Sequence, residues 1–179
     1  RLPFTPADAA FCAGRLLEWA DAGGAATRRA LRADRPADAA RRARDDITRL
    51  AAAALLLTGE TRHRRTSTLR LFEERFVRTG IVSPRARAAL EWARRAYPPG
   101  PWRGAGHPPA TPAATRTARL GCRLAARLEA EIVPWILREL ERIEPRYGTR
   151  RDSSARRSGW KDRPRASTRK SPRCWAMRR

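Results

Sequence analysis

Lysine is nearly absent from this chain: only Lys161 and Lys170 stand against 38 arginines. Methionine occurs once (Met177), histidine twice (His63, His107) and cysteine three times (Cys12, Cys122, Cys174). Each scarcity excludes something. Two histidines and three scattered cysteines without a CxxC pair build no zinc framework, so we expect neither metal nor cofactor. An odd number of widely spaced cysteines forms no disulfide scaffold and fits a reducing cytoplasm. The longest apolar run, Leu50 to Leu57, is eight residues, far short of the roughly 20 that cross a bilayer. The N-terminus lacks a signal-peptide pattern. We therefore expect a cytoplasmic protein without a membrane span. No alternating apolar–polar stretch marks a strand, and no internal repeat is visible. The chain opens on Arg1 and its sole methionine is Met177, so we expect that the natural start is missing or that initiation used another codon.

In excess are arginine and alanine. The 179 residues hold 40 Lys and Arg against 18 Asp and Glu, a net charge of +22. Such a balance favours an acidic partner: RNA, DNA, an acidic protein or an anionic membrane surface. Arginine and alanine without lysine are also what a GC-rich genome produces, and both readings of the composition stand. Whatever its origin, the charge attracts polyanions non-specifically.

Local signals predict helices throughout the first 144 residues. Thr5-Pro6-Ala7-Asp8 reads as a cap, a proline at the first helical position and an acid favoured by the helix dipole. This helix is expected to stop at Gly23-Gly24. A new start at Asp34-Arg35-Pro36 opens a long helix whose second half, Leu50–Leu57, is apolar nearly all round and so is the buried central element. Gly59 ends it. Leu69, Phe72, Phe76 and Val77 share one face of a third helix over Ser67 to Thr79, ended by Gly80. Ser83-Pro84 opens a fourth, with Ala88, Leu90, Trp92 and Ala93 as core candidates. Residues 98–112 form a Pro/Gly-rich loop. Thr111-Pro112 then begins a last helix in which Leu120, Leu124, Leu128, Ile132, Ile136 and Leu140 recur every four residues, with Pro134 expected to kink it. The fold class is thus all-α: an antiparallel bundle of about five helices over 1–144.

From Arg146 the character changes. The last 34 residues carry 13 Lys and Arg and two Asp, which is +11 of the total +22. Residues 145–179 therefore read as a disordered, basic Ser/Arg/Pro-rich tail.

The stretch Leu71-Phe72-Glu73-Glu74-Arg75-Phe76-Val77-Arg78-Thr79-Gly80 resembles the Leu-Phe…Phe-Val-Lys-Thr-Gly segment of small prokaryotic HEPN-domain proteins, which are often encoded beside a minimal nucleotidyltransferase. The Ala/Arg-rich stretch Ala37–Arg44, the helix end at Trp92–Tyr97 and the final helix bearing Leu120 and Leu124 follow the same order, so the likeness covers about 25–143. The resemblance implies a helical bundle that often dimerises, an RNA-directed role in a toxin–antitoxin system, and a nucleotidyltransferase-like antitoxin as partner. Many members are metal-independent ribonucleases in which an arginine holds phosphate and a histidine moves a proton; others carry tyrosine in the corresponding stretch. Here no arginine precedes His63 or His107 with four to six residues between them, Arg103 and His107 being separated by three, and Glu91–Tyr97 supplies the tyrosine.

The candidate catalytic set is accordingly Arg94, Arg95 and Tyr97, the arginines on RNA phosphate. Tyr97 reads equally as a residue packing at a helix end. Candidate nucleic-acid contacts are Arg62, His63, Arg64 and Arg65, together with Arg156, Arg157, Lys161, Arg169 and Lys170 in the tail; a solvated basic loop is the plainer reading of the first group. Glu129, Glu131, Glu139, Glu141 and Glu144 can be read as paired carboxylates, but they alternate with Arg127, Arg138 and Arg142, which points to surface ion pairs along a helix. Two functions follow: a HEPN-like RNA-binding component of a toxin–antitoxin system with a degenerate ribonuclease site, or a non-catalytic nucleic-acid-binding protein acting through its tail.

Overall fold

A capping box opens the first helix. The Thr5 hydroxyl accepts from the Asp8 amide at 3.2 Å and the Asp8 carboxylate accepts from the Thr5 amide at 3.0 Å, which fills two of the unsatisfied donors at a helix start. The computed structural model describes residues 5–60, 65–95 and 111–143, of which 65–67 as backbone alone. Five α-helices and one π turn account for most of them, and no strand occurs among the described residues.

Helix α1 spans Pro6–Arg32. The expected stop at Gly23-Gly24 does not occur: both glycines lie inside α1, and Ala25–Arg32 continues it. The chain turns later, at Asp34, with φ +52°. There Asp34 N donates to Leu31 O at 3.2 Å and Arg35 N to Ala30 O at 2.9 Å, a Schellman closure with aspartate where glycine is usual. Gly23 is needed for another reason. A Cβ there would overlap the Asp46 carboxylate of the next helix, so glycine supplies a notch rather than a stop.

Helix α2 spans Pro36–Leu57 and ends as read, with Gly59 at φ +86° and Glu60 N donating to Leu55 O at 3.1 Å. Its second half is the centre of the molecule: Leu50 through Leu55 are all buried. It packs on every other helix. The third segment is α3 (Arg65–Phe72) followed by a π turn, Glu73–Val77. That turn holds Phe72 and Phe76 stacked at 4.8 Å and sets Phe76 edge-on to Trp135 at 4.8 Å. Leu69, Phe72, Phe76 and Val77 are all buried, as their spacing predicts.

Helix α4 runs Ala86–Arg95 and buries Ala86, Ala89, Leu90, Trp92 and Ala93. Ala88 is exposed, against expectation, because it sits on the opposite side of the helix from Leu90 and Ala86. The last helix, α5 (Pro112–Ile143), is capped by Thr111, whose hydroxyl accepts from the Ala114 amide at 3.1 Å. It runs through Pro134. Leu124, Leu128, Ile132, Ile136 and Leu140 are buried, but Leu120 is 42% exposed. A strict four-residue repeat drifts about 40° per step on a 3.6-residue helix, so six such positions cannot all face one core.

Pairs of contacts fix the directions. Gly23 meets Asp46 and Trp19 O accepts from Arg49, so α1 and α2 are antiparallel. Trp92 covers Gly121 while Glu131 accepts from the Ser83 amide at 2.9 Å, so α4 runs against α5. No described helix is long and apolar enough to cross a membrane. Tyr97, His107, the Pro/Gly loop and the tail from Glu144 lie outside the described residues.

Candidate nucleic-acid interface

Arg94 stands in the last turn of α4, one turn beyond Leu90. Its guanidinium points into the bundle's flank, donating to Glu73 at 2.8 Å and to Leu69 O at 3.1 Å. Glu73 also takes Arg87 at 3.0 Å. Hydrogen bonding from Arg94, with the charge of both guanidiniums, holds the Glu73 carboxyl below the usual carboxylate range. On the other side of α4, Arg44 of α2 donates to Ala93 O at 2.9 Å. The end of α4 is thus fastened to α2 and to the π turn by two arginines.

Arg95 points the other way, 80% exposed along its side chain, and pairs with Glu91 one turn back at 3.4 Å. Arg94 and Arg95 therefore diverge, as adjacent residues on a helix must. Tyr97, Arg62, His63 and Arg64 lie outside the described residues, as do Arg156, Arg157, Lys161, Arg169 and Lys170; Arg65 opens α3 with only its backbone described.

Beside Arg94 is an open hollow of about 470 Å³, lined by Arg70, Glu73, Glu74, Arg78 and Arg94. Arg70 pairs with Glu74 at 2.9 Å. A phosphate entering this hollow meets two carboxylates along with the cations, which weakens its attraction. Among the described residues no group of three His, Cys, Asp or Glu side chains is placed to hold a metal ion.

A second ionic cluster lies at the seam of α1, α2 and α5. Asp46 is 4% exposed and accepts from Arg49 at 3.0 Å. Burial pushes its pKa up to about 7 against the pull of Arg49, with Asp45 and Glu129 pushing the same way. Glu129 is itself raised, by burial and then by the Asp21 charge, with Arg28 opposing. Arg28 also lies within the electrostatic reach of Cys122, whose thiol burial raises. These couplings set the last turns of α1 beside residues 122–129 of α5. Of the expected pairing along α5, Arg142 meets Glu139 at 2.8 Å; Glu131 accepts from the Ser83 amide and Glu129 turns to the seam.

The remaining cations form a third arrangement. Arg116, Arg119, Arg123 and Arg127 are all exposed along α5. Arg29 and Arg32 are exposed at the end of α1. None of these six has a carboxylate partner among the described residues. The signal of the α5 four in the sequence is a 3, 4, 4 spacing on one helix face without an acid nearby.

Comparison with protein-family models, with curated proteins and with solved structures finds no match.

Proposed function

We propose that this chain is an RNA-binding helical protein that grips its ligand by charge and carries at most a degenerate ribonuclease site. The observation that carries the reading is positive charge left unneutralised. The chain holds +22, and six exposed arginines of α1 and α5 have no carboxylate partner among the described residues. Phosphate polyanions are the ligands such a surface attracts, because each neutralised phosphate releases condensed counterions. Cleavage asks for more: a free arginine on the phosphate and a group to move the proton. Arg94 commits its Nη2 to Glu73 and Leu69 O and its charge to the Glu73 carboxylate, which leaves it less free to hold a phosphate. The likeness of Leu71–Gly80 to HEPN proteins extends the proposal to a toxin–antitoxin system with a nucleotidyltransferase-like antitoxin, and to a homodimer as the acting form.

The alternative is binding through the tail alone, favoured by the +11 carried by the last 34 residues. One experiment separates the readings. The full chain is mixed with labelled RNA without added metal, alongside Arg94→Ala/Tyr97→Phe and a variant with Arg156, Arg157, Lys161, Arg169 and Lys170 changed to Gln. We expect salt-sensitive binding, no cleavage, and substantial binding left in the tail variant. Cleavage that vanishes in the Arg94/Tyr97 variant would establish a working nuclease and overturn our reading. Complete loss in the tail variant would transfer binding to the tail.

A further inference from the structure

We propose that the last turns of α1 and the first half of α5 together form a docking face for the paired phosphate rows of a nucleic-acid duplex. This rests on the RNA-binding reading above and says where, and on what shape of ligand, that binding acts. No sequence motif marks this face.

Charge segregation comes first. Residues 22–32 hold three arginines and no acid; residues 112–128 hold four arginines and no acid. In α2, the π turn and α4, by contrast, arginine and carboxylate interleave and pair. The acids of α5 begin only at Glu129, so one helix has a cationic first half and a mixed second half.

Geometry comes next. Arg116 to Arg127 advance about 16 Å along α5 at 1.5 Å per residue, one cation about every 5 Å. Helix α1 packs on α5 with Arg28 within electrostatic reach of Cys122 and Glu129, so the last turns of α1, which carry the exposed Arg29 and Arg32, lie beside this stretch of α5. Packed helices lie about 8–10 Å apart. The face therefore carries a row of four cations on α5 with two more on the neighbouring helix, which suits two phosphate strands bordering a groove. A single strand offers one row.

The third argument is what the face omits. Proteins that hold single strands stack bases on aromatic rings. The exposed aromatic residues described, Phe11 and Trp19, lie in the first two-thirds of α1, away from this face; its exposed large apolar side chain is Leu120. Side chains that meet phosphates and no base edges position a protein on a duplex without reading its sequence. Duplex RNA and duplex DNA share that chemistry.

The test uses the full chain and fluorescence anisotropy with three probes: a short RNA duplex, a DNA duplex and oligo-uridine, each titrated with salt. The face variant is Arg116→Gln/Arg119→Gln/Arg123→Gln/Arg127→Gln. A control, Arg15→Gln/Arg70→Gln/Arg75→Gln/Arg142→Gln, removes the same charge from ion-paired surface positions. We expect at least a tenfold loss of duplex affinity in the face variant, a slope of log K against log salt flattened by about 3–4, and less than a threefold loss in the control. A version with lysine at the four face positions should keep duplex binding, since a phosphate accepts either cation, and it also guards against loss through misfolding. Tighter binding of one duplex identifies the nucleic acid. Equal duplex binding by wild type and face variant overturns the inference while leaving the RNA-binding reading intact. So does equal loss in the control, or loss confined to oligo-uridine. A wild-type chain that binds none of the probes overturns both.

Discussion

The arginines around α4 and those on the first half of α5 are the same residue type on the same kind of element, yet they do different work. Around α4, Arg44 and Arg94 each satisfy a backbone carbonyl, and Arg87 and Arg94 share Glu73. They hold one helix end to two others. On α5, Arg116 through Arg127 project from the face opposite the buried Ala118, Gly121 and Ala125 and meet no carboxylate among the described residues. The difference lies in neighbours rather than in the side chain. A guanidinium beside a half-buried carboxylate becomes a fastening; one on an acid-free helix face stays available to an anion from outside.

Breaking the fastened region should cost stability, and the largest cost should come from its glycine notches. Gly23→Val drives a branched side chain into the Asp46 carboxylate, and Gly121→Val drives one into the Trp92 ring. Neither Asp46 nor Trp92 has room to retreat, as both are buried. Overpacking of this kind costs about 1–3 kcal/mol or more, which for a domain of this size lowers the melting temperature by roughly 3–10 °C. Thermal melts by circular dichroism read it directly. A Gly23→Val protein that melts like wild type would show that α1 does not ride so closely on α2.

Asp46 gives the next effect, visible in its pH dependence. Arg49 and Asp45 face it from its own helix, Glu129 and Cys122 from α5. Its pKa is raised in the folded chain, to about 7 from 3.8. Stability from this group is then fully present below the unfolded value near 3.8 and is lost as pH rises through about 7. Asp46→Asn should melt higher than wild type at pH 8, should lose that advantage near pH 4, and should differ between the two by a few kcal/mol at most. A wild-type chain with the same relative stability to Asp46→Asn at both pH values would contradict the burial of this carboxyl.

Glu73→Ala should act more mildly, leaving Arg87 and Arg94 without their carboxylate and loosening α4 from the π turn. The loss of hydrogen bonds to a charged group is worth about 1–3 kcal/mol, whereas Glu74→Ala, which removes one exposed pair with Arg70, should fall below about 1 kcal/mol. Equal melting points for the two variants would erase the distinction between fastening and surface pair at this end of the bundle.

Much of the fold was legible because helices announce themselves locally. Thr5 and Thr111 cap, Pro6, Pro36 and Pro112 occupy first helical positions, and the apolar positions of Leu69–Val77, at 3, 4 and 1 spacing, and of Leu124–Leu140, at every fourth residue, are buried. Glycine was the weak point. Gly59 and Gly23 look alike in sequence, but Gly59 takes a positive φ while Gly23 makes room for a side chain 23 positions away. The candidate site was legible only as charge. Arg94 could be singled out from the sequence, but its attachment to Glu73 and Leu69 could not, since those residues lie 21 and 25 positions earlier.

An all-helical chain, a central Ala/Leu helix and a large positive charge can be read off the residues alone, because propensity, capping and formal charge are properties of residues and their nearest neighbours. Which arginines are neutralised and which face solvent unopposed, where α1 ends, and that Asp46 is buried beneath a glycine follow from the packing of the helices. Each of these depends on groups brought together from distant parts of the chain, and no local pattern records their distance.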